Sequence, residues 1–146
     1  MSQLAAFAPP PPQVQTFMAF DFGHQRTGIA VGNRISLSAE PLKTVSAKAD
    51  ARLAAIGKIV AEWQPDMLIV GRPSHPDGAA HDMTRSAEKF ARQLAHQFQK
   101  PVALVDERYT SVEAAQMQAP DLDSMAACLI LERYFEQLHE HEKRST

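Results

Sequence analysis

Apolar residues fall along this chain in two rhythms. Thr16–Phe22 (TFMAFDF), Met67–Val70 (MLIV) and Pro101–Val105 (PVALV) are short and nearly continuous. Strands covered on both faces read this way. Elsewhere the apolar residues step at helical spacing. Leu53, Ile56, Ile59, Val60 and Trp63 predict an amphipathic helix over Ala49–Gln64, stopped by Pro65. Met83, Ala87, Phe90, Ala91, Leu94 and Phe98 predict a second helix. Leu122, Met125, Ala126, Leu129, Ile130 and Phe135 predict a third, running to about residue 139. Ahead of the first helix, the turn Gly23–Gly28 joins the first strand to a second at Ile29–Gly32 as a hairpin. Ile35–Val45, with alternating apolar residues and Pro41, reads as an edge strand.

The order is β-β-β-α-β-α-β-α. It predicts an α/β domain with a central mixed five-stranded sheet, parallel in the middle, antiparallel at one edge, and covered by helices on both faces. That is the element order of the ribonuclease H-like fold. Residues 1–15 carry four consecutive prolines and predict a disordered tail. The folded domain is expected over 16–140, with a charged tail over 141–146. A length of 146 residues suits one domain, and no repeat or linker divides it. The apolar fraction of 45% and charged fraction of 22% are those of an ordinary globule and exclude bulk disorder.

Composition narrows the chemistry. The single cysteine, Cys128, rules out an intramolecular disulfide and a cysteine-based zinc site, and fits a reducing, cytoplasmic setting. The first basic residue is Arg26, so the start of the chain lacks the basic region of a secretory signal. The longest apolar run, Met125–Leu131, is too short to span a bilayer. A net charge of -2 gives no global footprint for nucleic acid, so any such role needs a local basic patch.

Asp21 ends the first strand, where a carboxylate faces a large desolvation cost unless it is paired or bound to a metal. The alternative is an Asp that caps the Gly23 turn. Asp106-Glu107-Arg108 follows another apolar strand, and ligand sites in open α/β sheets gather at the carboxyl ends of parallel strands. An acidic turn paired with Arg108 would look the same. Asp121 and Asp123 open the last helix, where Asp commonly satisfies free N–H groups, although Asp123 could also turn its carboxylate to the sheet edge. Together these carboxylates form a set that could hold Mg²⁺ or Mn²⁺, which prefer oxygen ligands and few protein contacts. Such ions activate water and stabilise the leaving oxygen in phosphodiester hydrolysis. Arg26, Arg72 and Arg108 follow three different strands and could each grip a phosphate. Arg85, Lys89 and Arg92 lie at helical spacing and either extend that patch or form a solvated face. His75 and His81 read as loop histidines near the expected site, and Cys128 as a core residue. No Walker A, G-x-S-x-G or H-E-x-x-H sequence is present.

These residues resemble a known family. Phe20-Asp21-Phe22-Gly23 with Arg26, Gly28 and Ala30-Val31 is similar to the opening motif of the YqgF/RuvX family. Ile69–Pro73 with Asp77-Gly78, Val105–Ala114 and Asp123–Leu131 resemble its later blocks, in the same order over roughly residues 17–138. The resemblance implies a ribonuclease H-like fold related to Holliday-junction resolvases. It also implies a cytoplasmic nuclease that matures the 5′ end of pre-16S ribosomal RNA. The family's acidic residues map onto Asp21, the Asp106/Glu107 pair and Asp123. The resemblance implies Glu107 as the ligand of the pair, since the family's acidic site is generally placed on the Glu; adjacent strand residues face opposite ways, so both are not expected to bind one metal unless the strand has ended. One departure is the stretch Ala115–Pro120, which contains no basic residue where the family commonly carries a Lys/Arg- and Gly-rich segment.

The expected function is therefore a metal-dependent nuclease using Asp21, Glu107 and Asp123, with Mg²⁺ or Mn²⁺ and with Arg26, Arg72 and Arg108 on the substrate. The substrate would be pre-16S rRNA or, alternatively, branched DNA. A homodimer would suit a four-way junction. A non-catalytic binding module on ribosome precursors is the second reading, favoured by the neutral composition. A sugar-kinase-like phosphotransferase, suggested by Asp21-Phe22-Gly23, would need two such domains around ATP and does not fit this length.

Overall fold

The computed structural model describes residues 9–72, 82–106 and 122–144. Within them lie β1 (Thr16–Phe22), β2 (Arg26–Asn33), β3 (Ser38–Ser46), α1 (Ala49–Trp63), β4 (Met67–Arg72), α2 (Asp82–Phe98), β5 (Val102–Asp106) and α3 (Leu122–Arg144). The strands form one sheet in the order β3-β2-β1-β4-β5. β1, β4 and β5 are parallel; β2 and β3 are antiparallel to their neighbours. This is the mixed five-stranded sheet that the pattern predicts.

Strand alternation assigns the two faces. Met18, Phe20, Leu68 and Val70 point to one face and pack against Ile56 and Val60 of α1 and Phe90 and Leu94 of α2. Phe17, Ala19, Met67, Ile69 and Val105 point to the other and meet Ile130, Leu131, Tyr134 and Phe135 of α3. The Phe17 ring lies 5.6 Å from Tyr134 and edge-on to Phe135 at 5.5 Å. Full burial of each such side chain stabilises the fold by roughly 1.5–3 kcal/mol.

α3 can approach β2 closely because β2 presents Gly28, Ala30 and Gly32 on that face. A Cβ at Gly32 would stand 2.6 Å from Leu131 Cδ2, too near for a real side chain. Ala30 meets Ala127 and Cys128 of α3. Cys128 is a core residue as expected, its Sγ donating to Ala39 O at 3.3 Å.

Several boundaries differ from the pattern. β2 starts at Arg26 rather than Ile29, because Gly23 N–H donates to Arg26 O at 2.9 Å and closes the hairpin early. β3 starts at Ser38 rather than Ile35. The Asn33 side chain accepts from Ile35 N at 2.7 Å and bends the chain, leaving Ile35 exposed in a turn. α3 continues to Arg144 instead of ending near 139, so the expected charged tail begins as helix. Arg34 holds this end through Glu142 at 3.4 Å.

The proline-rich start is also tied down as far as it is described. Arg34 Nη1 donates to Pro11 O at 2.9 Å and Val14 O at 3.2 Å. Asp66 Oδ2 accepts from Gln15 N at 3.0 Å and Thr16 N at 3.1 Å. Pro11–Gln15 is therefore anchored, where a disordered tail through residue 15 was expected.

Candidate active site at the carboxyl edge of the sheet

The three parallel strands end together at Phe22, Arg72 and Asp106. Asp21 is the penultimate residue of β1. It belongs to the Phe17–Ala19 series and so faces α3. Its antiparallel partner is Gly28. Directly opposed residues of such a pair share a face, with Cα atoms about 4.5–5.5 Å apart. A Cβ on Gly28 would stand 1.8 Å from Asp123 O, 2.2 Å from Asp123 C and 2.8 Å from Ser124 N. The backbone of the first turn of α3 thus occupies the space that any side chain at position 28 would need. That seating brings Asp123 to the same face and the same edge as Asp21, although the two come from opposite ends of the chain.

Arg26 lies two residues from Gly28 on the same face of β2. Its Nε is 3.1 Å from Asp123 Oδ2, with Arg26 66% exposed and Asp123 31% exposed. Such a wet pair contributes under about 1 kcal/mol. It gathers opposite charges at the edge without locking them. Asp123 also stands in the first turn of α3, where the helix dipole favours an anion.

The other expected residues separate. Arg72 was expected beside Arg26, but alternation turns it to the α1–α2 face. There its Nη1 is 3.2 Å from Glu88 Oε2 on α2. Asp106 is the register partner of Arg72 and shares that face, while Val105 packs against the α3 side. Asp106 is thereby removed from the Asp21 side. Glu107, Arg108, Asp121, His75 and His81 lie outside the described residues.

Sequence reasoning missed two contributors. Gly28 was legible only as a motif position; the small residues at 28, 30 and 32 were the signal that a helix passes close by. Arg52 gave no signal, since an arginine in an amphipathic helix reads as solvated. It is 4% exposed. Its Nε donates to Ala47 O at 3.0 Å, its Nη2 donates to His24 O, and its guanidinium lies 4.5 Å from the Phe22 ring centroid. Burial lowers its pKa. Arg52 ties the β1–β2 turn, which leads into Arg26, to the start of α1.

Among the described residues, no group of three or more His, Cys, Asp and Glu is gathered for a metal ion. Asp21 and Asp123, which share this face and edge, are hard oxygen donors. They suit Mg²⁺ or Mn²⁺, which accept few protein ligands and complete their shells with water and phosphate oxygens. The donor set does not suit a soft or thiolate-bound metal. Burial pushes the Cys128 thiol up to about 11, so it is neither a ligand nor a nucleophile at neutral pH. No helix among the described residues is long and apolar enough to cross a membrane.

The sequence profile of the RuvX family, described as Holliday junction resolvase, matches residues 15–137. A protein of Albidiferax ferrireducens named "Putative pre-16S rRNA nuclease" is 55% identical over 121 residues, spanning 83% of this chain and 78% of its own. One of Polaromonas sp. with the same name is 53% identical over 125 residues, spanning 86% and 91%. T. thermophilus RuvC in complex with Holliday junction substrate is structurally similar, with a TM-score of 0.55 at 14% identity over 84% of this chain and 94% of that one. The yeast mitochondrial Holliday junction resolvase Ydc2 gives 0.50 at 11% identity over 95% and 85%. At these identities the structural likeness speaks for the fold alone, and that fold is ribonuclease H-like.

Proposed function

The chain belongs to the RuvX family, and from that premise and the site above we propose that it is a nuclease hydrolysing phosphodiester bonds with a divalent cation, in the 5′-end maturation of pre-16S rRNA. The observation that carries the reading is the seating of the Asp123 backbone over Gly28, the register partner of Asp21, at the carboxyl edge. A structural Asp cap would not require a glycine under the helix start to bring two carboxylates to one face.

Asp21 and Asp123 would hold the cation, and Glu107 would be the third ligand. Support for Glu107 over Asp106 comes from the position of Asp106, on the face away from Asp21. The chemistry a divalent cation supplies at such a site is activation of water and stabilisation of charge on the departing oxygen. Among the described residues Arg26 meets Asp123 through its Nε, and its terminal nitrogens would donate to a non-bridging phosphate oxygen. Binding would draw Arg26 from Asp123 to the phosphate at little cost, because the pair is solvent-exposed. Arg52 would keep the turn before Arg26 in place during that exchange. Arg108 would be a further phosphate ligand. Arg72, held by Glu88, is assigned to anchoring α2.

The test is cleavage of end-labelled precursor 16S RNA, with a four-way DNA junction alongside, in Mg²⁺ or Mn²⁺, by wild type and Asp21→Asn. Metal-dependent cutting of the RNA that vanishes in the variant is expected. Preference for the junction would move the substrate to branched DNA. Bound but uncut RNA would make the protein a binding module, and cutting that survives the substitution would place the reaction elsewhere.

A further inference from the structure

We propose that a cleft at the amino edge of the sheet docks an arginine-bearing peptide segment of a partner protein. The proposal is independent of the nuclease reading, because the cleft lies at the opposite edge from Asp21 and Asp123.

The cleft opens where β1 begins at Thr16, β2 ends at Asn33, β3 begins at Ser38 and α1 ends at Trp63. The seven residues of β1 set it roughly 20 Å from the carboxyl edge. Its volume is about 230 Å³, below the roughly 300–1,000 Å³ of pockets that enclose a drug-sized ligand. It has room for one side chain, with the rest of the ligand outside.

Trp63 continues the stripe of Ile56, Ile59 and Val60 on α1, yet it is 46% exposed where those three are 7% exposed or less. The ring of this single tryptophan is an uncovered wall of the cleft, and Val31 and Pro65 add apolar surface. Glu40 is the register partner of Val31 and so shares the face that α1 covers. Among the described residues that line the cleft it alone is charged, and it makes no ion pair with a described residue. The other polar groups of the lining are engaged. Asn33 Oδ1 accepts from Ile35 N at 2.7 Å, and the Ser38 hydroxyl meets that of Ser36 at 2.8 Å. Thr16 Oγ1 accepts from Asp66 N at 3.0 Å. Arg34, which follows Asn33, is turned to Pro11 O, Val14 O and Glu142, and Lys100 acts on Asp66.

An open indole face beside a carboxylate without a cation selects a cation. The end of α1 adds the same sign. Its last turn contains Glu62 and no basic residue, and the carbonyl end of a helix dipole is negative. Phosphate groups are repelled here. A guanidinium is planar and weakly hydrated, so it can stack on the indole while donating to the carboxylate, which a lysine ammonium does less well. Peptide arms rich in such cations are carried by proteins that bind nucleic acid. One docked at this edge leaves the carboxyl edge uncovered.

The test uses the full chain in EDTA, with two readouts: Trp63 emission, and anisotropy of fluorescein-labelled peptides. The probes are a blocked glycine–serine heptapeptide with arginine at two positions, the same peptide with lysine or with glutamate there, and an RNA of 10 nucleotides. The proteins are wild type, Glu40→Gln, Trp63→Leu and, on α3, Glu136→Gln, each checked for folding by thermal melts. The arginine peptide should give a saturable blue shift below about 1 mM, the lysine peptide a weaker one and the glutamate peptide none. Glu40→Gln and Trp63→Leu should each weaken binding about two- to fivefold, and Glu136→Gln should leave it unchanged. The proposal would be overturned by wild type giving no saturable shift, by equal binding of the glutamate peptide, or by unchanged affinity in both cleft variants. RNA that displaces the peptide would also overturn it, and emission that changes with protein concentration alone would give the cleft to a second copy of the chain instead.

Discussion

Gly28→Ala is the substitution that most directly couples the fold to the site. Its new Cβ would meet Asp123 O at 1.8 Å and Ser124 N at 2.8 Å. Both are backbone atoms of the first turn of α3 and cannot rotate aside. Real Cβ contacts stay beyond 3.0 Å, so α3 must lift by at least 1.2 Å at its start. Overpacking of this kind costs about 1–3 kcal/mol. For a domain of this size that lowers the melting temperature by roughly 3–10 °C. The effect on catalysis should be larger in proportion, because a misplacement of about 1 Å costs about 10²-fold. Gly57→Ala is the matched control. Its Cβ would meet Phe98 Cε1 at 3.5 Å, an ordinary contact, inside helix α1. Replacing a helical glycine there should stabilise by up to about 1 kcal/mol and leave activity unchanged. The assay is thermal unfolding by circular dichroism alongside cleavage of labelled RNA. A Gly28→Ala protein with wild-type melting and wild-type turnover would refute the seating argument.

Other outcomes follow from single contacts. Arg26→Gln should change unfolding free energy by less than about 1 kcal/mol, since the Asp123 pair is exposed, while raising KM for RNA and reducing its salt dependence. Cys128, pushed up to about 11 by burial, should resist alkylation at pH 8 in the folded protein and react rapidly once the chain is unfolded in denaturant. Because that folded value is raised, the stability linked to the neutral thiol is present below its unfolded value and lost as pH rises toward about 11. Rapid labelling of the native thiol would contradict its burial. Asp66 is the opposite case: the N–H groups of Gln15 and Thr16 lower its pKa. Its contribution is present above the ordinary carboxylate value and lost as pH falls through the lowered folded value. Asp66→Asn should flatten the acid limb of the stability curve below about pH 4, and an unchanged limb would refute that linkage.

The sheet and its three covering helices were legible because buried strands and amphipathic helices leave different periods. Topology followed from the order of those elements. Boundaries failed where side chains, not periodicity, set them. The Asn33 turn removed Ile35 from β3, and Gly23 closed the hairpin early enough to start β2 at Arg26. The anchored proline segment was illegible for a related reason: its partners, Arg34 and Asp66, are distant in sequence. At the site, Asp21 and Asp123 could be named from their places at element ends. Their placement on one face of the edge could not, because it depends on the absent side chain of Gly28. The faces of Arg72 and Asp106 were open until the register fixed the phase of alternation. Arg52 stayed invisible, since a buried arginine satisfied by carbonyls and an aromatic ring has the same letter as a solvated one.

The central claim is that Asp21 and Asp123 form one centre for a divalent cation. Mn²⁺ binding by isothermal titration should be measured for wild type, Asp21→Asn, Asp123→Asn and the double variant, with folding checked by thermal melts. If the two carboxylates act as a unit, each single substitution removes most of the affinity and the double variant loses little more. Independent, additive losses, or wild-type Mn²⁺ binding that survives both substitutions, would contradict the account.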